Sequence, residues 1–428
     1  MKPISKTLKN GMRAIAVPTN GAASMTIMVF VRVGSRYETK DINGASHFIE
    51  HLMFKGTKRR PDTLNISKEL DRYGAEYNAF TSKDMTAYYI KMDAAQTGLA
   101  VDLLHDMLFH SKYDPKEIER ERNVILEEIN MYEDNPRMHI EDLIEESLFP
   151  DSTLGWNIAG PREVIRTVPR EKLIAYRDAY YIPSRMCVVV SGKIAPDIWK
   201  KLDQTFGSVV SPKEAKDAHF KPFVPPAKLK HPVTYQEKST EQAQLALSFH
   251  GLSLEDTRLP AALLLATILG GTMSSRLFIQ VRERRGLCYS IGASHQAMED
   301  TGVFQILTGL DKTRMKEAIR VIWNELQAIS KKPVGADELR RAKDHLRGKL
   351  TLALEDSSVF ADWYGRQWLF RRTLESPEQR LKRIEAVRAS DIKHLASNIF
   401  QKDHMAAAAI GPLGTKKNVD RLFHFIGS

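Results

Sequence analysis

Cysteine is almost absent from this chain: Cys187 and Cys288 are the only two in 428 residues. Both sit in apolar contexts, one in each half, so no disulfide framework is implied and a reducing compartment fits. Long apolar runs are missing as well. No stretch of about 18 apolar residues occurs, which leaves no candidate for a membrane-spanning helix. Residues 1–12 lack the apolar core of a secretion signal, and the expectation is a cytoplasmic protein with no membrane association. Acid is short relative to base, with 53 Asp and Glu against 63 Lys and Arg, a net charge of +10. Such an excess raises the question of a nucleic-acid surface. The basic residues are, however, interleaved with acids, as in Arg340-Arg341-Ala342-Lys343-Asp344, and no zinc-finger, RNA-recognition or glycine-rich phosphate motif accompanies them. No nucleic-acid partner is expected. With 43% hydrophobic and 27% charged residues, the chain is neither disordered nor fibrous and is long enough for two to three cores.

Against this background residues 47–51 stand out, reading His-Phe-Ile-Glu-His. Few helix breakers surround them until Gly56, so the pentad is predicted to lie on a helix that Gly56 stops. Side chains four apart share a helix face, which lets His47 and His51 offer ring nitrogens to one ion at about 2.0–2.1 Å. Two histidines leave a zinc ion under-coordinated. A third protein ligand and a water would complete an open tetrahedral site in which the metal acidifies the water and a nearby carboxylate takes its proton. Glu50 is placed to be that carboxylate. The order inverts the familiar His-Glu-x-x-His pattern while keeping its roles.

Residues 114–134 offer the third ligand. Asp114-Pro115 opens a helix well, and Glu121 and Glu128, seven apart, fall two turns along one face. Val124 and Ile125 lie between them and are expected to dock that side on the core. Glu128 could ligate a metal with Glu121 behind it, since metal-bound histidines and carboxylates usually need a partner that fixes their orientation. Helical periodicity does not choose between Glu127 and Glu128. Charged residues on a helix are more often a solvated face than a site.

These segments resemble the pitrilysin/insulinase family of zinc peptidases, which includes insulin-degrading enzymes and the mitochondrial processing peptidase. The resemblance covers essentially the whole chain. His47-Phe48-Ile49-Glu50-His51 followed by Lys55-Gly56-Thr57 is similar to the family's zinc helix. Asn78-Ala79-Phe80-Thr81 is similar to the strand segment after it, and Glu121 to Glu128 to the stretch that ends in the metal ligand. The resemblance selects Glu128 as ligand and Glu121 as supporting acid, and implies one Zn2+ per chain. It also assigns Arg282 and Tyr289, within Val281-Arg282-Glu283-Arg284-Arg285-Gly286-Leu287-Cys288-Tyr289, to contact with bound substrate. A guanidinium suits a carbonyl or carboxylate, and a phenol can donate to an oxyanion. Read without the family, the same stretch is a basic surface run. The implied activity is endopeptidase cleavage of short unfolded peptides or presequence-like segments, which would bind as an added strand along Asn78, Ala79, Phe80 and Thr81. Clustering of Glu50, Glu121, Glu127 and Glu128 would favour peptides carrying basic residues. The alternative is a non-catalytic or partner-dependent subunit of a processing-peptidase-like complex, and an intact metal motif weighs against it.

Two apolar strand motifs recur at nearly one offset. The segment ending at Gly34 is matched 217 residues later by the one ending at Gly251, and Met186–Gly192 is matched 219 residues later by Met405–Gly411. That argues for a duplication. Pro212, Pro222, Pro225 and Pro226 mark residues 211–230 as a linker. The expected architecture is α+β: a metal-bearing half at 1–210 and a similar half at 231–428, each one sheet with helices packed mainly on one face, together forming a clamshell. Long helices are expected over 94–112 and 115–149. A chain of two such halves carrying both constellations is expected to pair as a homodimer.

Overall fold

Alternation along the apolar strands decides how the sheets are buried. The computed structural model describes residues 2–211, 220–230 and 232–424. Strands β1 (Ile4–Thr7), β2 (Arg13–Pro18), β3 (Ser24–Val31), β4 (Glu76–Thr81), β5 (Thr86–Asp93) and β6 (Met186–Gly192) form one sheet in the order β1-β2-β6-β3-β5-β4. Strands β7 (Val233–Glu237), β8 (Ala243–His250), β9 (Cys288–Ala297), β10 (Gly302–Leu310) and β11 (Met405–Gly411) form a second, ordered β7-β11-β8-β10-β9. Without β1, the two orders superimpose strand for strand. In each sheet the first pair is parallel, β2 with β6 and β7 with β11, and the remaining pairs are antiparallel. The two repeated sequence motifs are therefore β3 with β8 and β6 with β11, neighbours in both sheets.

In β3 the side chains of Met25, Ile27, Val29 and Val31 enter one core while Met28 and Phe30 enter another on the opposite face. The larger core is covered by several helices, among them Ala45–Leu52 and Thr97–His110. One helix, Ser357–Phe370, covers the other face, laying Phe360, Ala361, Tyr364 and Leu369 on Ile15, Met28, Phe30 and Val189. Gly365 makes this approach possible, since a Cβ there would lie 2.0 Å from the Phe30 ring. The second sheet repeats the scheme. Leu245, Leu247 and Phe249 face its larger core, and the helix Pro136–Leu148 lays Ile140, Ile144 and Leu148 on Ala246, Ala406 and Ala408, whose small side chains admit it.

Each compact unit thus contains a helix drawn from the chain's other half. One unit comprises Met1–Ile129, Asn157–Phe220 and Thr351–Ser376, and the other comprises Asn130–Trp156, Lys221–Leu350 and Pro377–Ser428. The contiguous division at 1–210 and 231–428 differs from this arrangement, because periodicity shows that a helix is amphipathic without showing which sheet it covers. Of the expected linker, residues 212–219 lie outside the described residues, and 220–230 carry no helix or strand. The single long helix expected over 115–149 is also corrected. It is two helices, Pro115–Asp134 and Pro136–Leu148, broken where Asn135 caps the second by accepting from Arg137 N–H and Pro136 takes its first turn. Among the described residues no helix is long and apolar enough to cross a membrane.

Candidate metal centre

The histidine pentad lies on the helix Ala45–Leu52, which ends four residues before Gly56. Gly44 opens it with φ 98°, and a Cβ there would meet the Ala159 carbonyl at 2.5 Å, so only glycine fits this entry. The first-turn N–H groups, which the helix itself leaves unpaired, are met by a buried carboxylate. Glu38 accepts from Gly44 N–H and Ser46 N–H, both at 2.7 Å, and from the Asn43 amide at 2.9 Å. Burial nevertheless pushes the Glu38 carboxyl up to about 7, against the pull of those donors. This residue escaped the sequence reading, because a lone glutamate nine positions before His47 carries no periodic or motif signal.

From this anchored helix, His47 and His51 bring their Nε2 atoms to 3.2 Å from each other. Glu128 Oε2, from the helix Pro115–Asp134, lies 3.6 Å from His47 Nε2 and 3.5 Å from His51 Nε2. Ligands at about 2.1 Å around a tetrahedral zinc would be about 3.4 Å apart. The three atoms already form a triangle of that size. They are the one group of His, Cys, Asp or Glu among the described residues whose spacing could hold a metal ion. Glu127 is exposed and not part of it. Val124 is 46% exposed, while Ile125 is fully buried, so only the second of the pair expected to dock this side of the helix does so.

Glu121 is buried, its Oε2 3.0 Å from His51 Nδ1 and its Oε1 2.6 Å from Lys55 Nζ. Although burial opposes it, these two cationic neighbours hold the Glu121 carboxyl below its ordinary range. Lys55 lies past the end of the helix, in the turn that follows Leu52 and brings its ammonium back to Glu121. Burial depresses both histidines. In His47 it prevails, and with His51 beside it the ring falls to about 4, the unprotonated form a metal requires. In His51 the hydrogen bonds to Glu121 and Glu128 outweigh burial and raise it to about 9. The field that holds a proton there is the field that would draw a cation in its place. His47 Nδ1 is buried with no hydrogen-bond partner.

Glu50 faces the neighbouring strand β4, where Thr81 Oγ1 donates to Glu50 Oε2 at 2.5 Å. Burial raises the Glu50 carboxyl, and the Thr81 bond moderates the rise. The segment Asn78 to Thr81 thus contributes a direct partner to the pentad, which sequence spacing did not reveal. β4 pairs only with β5 and forms the edge of its sheet. Along it, Asn78 Oδ1 accepts from Ala79 N–H at 2.8 Å.

Arg282 and Tyr289 belong to the other compact unit. Arg282 lies within a π-helical turn, Phe278–Glu283, with its guanidinium 4.7 Å from the Phe278 ring and 5.5 Å from the Tyr289 ring. Such turns recur at functional sites. Tyr289, near the start of edge strand β9, is 71% exposed.

Comparisons with known proteins show the family. Residues 14–162 match the family described as insulinase (peptidase family M16), and residues 167–346 match the peptidase M16 inactive domain. The chain belongs to peptidase family M16. An uncharacterized zinc protease of Bacillus subtilis, YmxG, is 35% identical to this M16 chain over 95% of it and 98% of the relative. An uncharacterized zinc protease of Streptomyces coelicolor is 32% identical over 96% and 90%. In fold, the M16 chain matches the crystal structure of a protease from Helicobacter pylori with a TM-score of 0.87 at 22% identity, covering 96% of this chain and 99% of that one. A structure from Pseudomonas fluorescens described as a peptidase M16 inactive domain also scores 0.87, at 18% identity, covering 96% and 98%.

Proposed function

We propose that this M16 chain is a zinc-dependent endopeptidase, in which His47, His51 and Glu128 hold one zinc ion, Glu121 fixes the ring of His51, and Glu50 is the general base. The observation that carries this reading is the triangle of 3.2, 3.5 and 3.6 Å formed by the three ligand atoms, with Glu50 one residue from His51. When bound, zinc supplies a Lewis acid that polarises the scissile carbonyl and acidifies a water.

The chain's own residues supply the rest. Glu50 takes the proton of the attacking water and returns it to the leaving amine, and a carboxyl raised by burial suits both transfers. Thr81 holds Oε2 and so leaves Oε1 for that exchange. Unfolded peptides, presequence-like segments among them, bind along the free edge of β4 at Asn78 to Thr81, where main-chain bonding is indifferent to sequence and Thr81 lies beside Glu50. Arg282 and Tyr289, already paired with each other, bind the peptide and donate to the oxyanion, as the family resemblance suggests. Since one chain encodes both constellations, a homodimer is the simplest assembly, and sedimentation of the purified protein checks it.

Hydrolysis of a quenched-fluorescent peptide mixture by wild type and Glu50→Gln, with zinc measured on the same samples, tests the assignment. Cleavage by wild type, and a loss on the order of 10²–10⁴-fold in Glu50→Gln at equal zinc, is expected. Wild-type turnover in Glu50→Gln would remove Glu50 from the mechanism. No cleavage by either protein at full zinc would favour a partner-dependent subunit.

A further inference from the structure

The duplication places a second pair of helices where the first unit holds its metal ligands. Leu259–Gly270 follows β8 as the histidine helix follows β3, and Ala336–Ala353 occupies the place of Pro115–Asp134 in the order of elements. Leu259–Gly270 reads Leu-Pro-Ala-Ala-Leu-Leu-Leu-Ala-Thr-Ile-Leu-Gly, with no residue able to hold a metal through a ring nitrogen, thiolate or carboxylate. Between the end of this helix and Ala336–Ala353 there is instead a cavity of about 370 Å³. That is within the size range of small-ligand sites.

Its polar lining is rich in donors. The two acids on its wall are already engaged: Glu338 by Arg276 through two bonds of 2.7 Å, and Asp344 by Arg340 at 2.8 and 3.1 Å. Arg341 and His345, four apart on the same helix face and also lining the cavity, have no hydrogen-bond or ion-pair partner among the described residues. Across from them Ser275 is 4% exposed, and its buried hydroxyl has no partner. No hydrogen bond holds that hydroxyl in its present rotamer, and a turn about χ1 re-aims it. Thr267 Oγ1 already donates to the Leu263 carbonyl at 2.8 Å. A cation and an imidazole lining one space, an orphaned hydroxyl that one χ1 turn brings to it, and nearby carboxylates already neutralised call for a ligand made of acceptors.

We infer that this cavity binds a small oxyanion, the phosphate or carboxylate group of a low-molecular-weight ligand, with Arg341 as its charge partner and His345 and Ser275 as further donors. The planar guanidinium fork matches two oxygens of either group, and such charge-assisted pairs are the strong ones. The half of the duplication without metal ligands thereby keeps a ligand site between the same two helices, serving a different chemistry.

Calorimetric titration of the full chain with inorganic phosphate, and separately with acetate, tests this in wild type, Arg341→Gln and Ser275→Ala at equal zinc content. Arg341 is exposed and the Ser275 hydroxyl makes no bond, so neither change should unfold the protein. Saturable binding of at least one anion to wild type is expected, weakened about tenfold or more in Arg341→Gln and less in Ser275→Ala, with peptide cleavage unchanged. Phosphate alone would identify a phosphate ester, and acetate alone a carboxylate. The inference is overturned if neither anion saturates, or if Arg341→Gln binds both as wild type does, which would put the anion elsewhere.

Discussion

The two compact units share a strand order and a sequence of helices, yet differ in the helix that follows β3 in one and β8 in the other. In the first unit that helix is eight residues long, entered through a left-handed glycine, anchored by the buried Glu38, and carries His47, Glu50 and His51. In the second it is twelve residues long, and ten of them are buried. The fold accepts either, because the strands supply both cores by alternation and the helix needs only one apolar face. Chemistry was therefore free to stay in one copy while the other became core.

Reciprocal substitutions break this comparison most directly. His51→Ala should abolish zinc binding and peptide cleavage together in a protein that still folds, with some loss of metal-free stability because buried Glu121 loses one of its two cationic neighbours. Leu265→Ala, in the fully buried counterpart helix, should lower stability by about 2–5 kcal/mol through the cavity it leaves, with zinc content at wild-type level in the folded protein. Zinc analysis beside denaturant unfolding reads both. A Leu265→Ala protein that lost zinc while still folded would show that the two helices are not independent.

A smaller effect is expected behind the ligands. Glu121→Gln keeps the shape of the side chain that faces His51 Nδ1 and Lys55 but removes its charge, and should weaken zinc about 10–100-fold, measured by competition with a chelator. Unchanged affinity would reduce Glu121 to a structural partner of Lys55.

The smallest concerns the anchor of the histidine helix. The Glu38 carboxyl stands at about 7 in the folded protein and at 4.5 without the fold, so the folded state holds its proton more tightly. Stability from this group is fully present below pH 4.5 and is lost as pH rises through about 7. Across that window, urea midpoints of wild type should fall more steeply than those of Glu38→Gln. Parallel slopes would mean that Glu38 does not titrate there.

Much of the candidate metal centre was legible because its parts are local. His47, Glu50 and His51 are joined by helical spacing alone, and the two repeated strands exposed the duplication through alternation and a common offset. The glutamate helix was legible as a helix, but choosing Glu128 over Glu127 required family resemblance, since periodicity assigns residues to a face without saying which of them meets a ligand from another element. Val124 and Ile125 show the same limit, as two adjacent apolar residues of which only Ile125 is buried. The Asn135-Pro136 break could have been read from the sequence, since a proline so placed starts a helix more readily than it continues one.

What the sequence determined by itself was therefore the local chemistry: two ring nitrogens and a carboxylate on one short helix, strands with two apolar faces, and two copies of one pattern. Only the tertiary structure decided which sheet each amphipathic helix would cover, so that Pro136–Leu148 and Ser357–Phe370 each serve the sheet of the chain's other half. It alone brought Thr81 to Glu50 and Glu38 to the helix start, and left Arg341 and Ser275 around one cavity. The physical reason is that a hydrophobic face specifies burial without specifying a partner, and a polar side chain specifies a bond without specifying its other end.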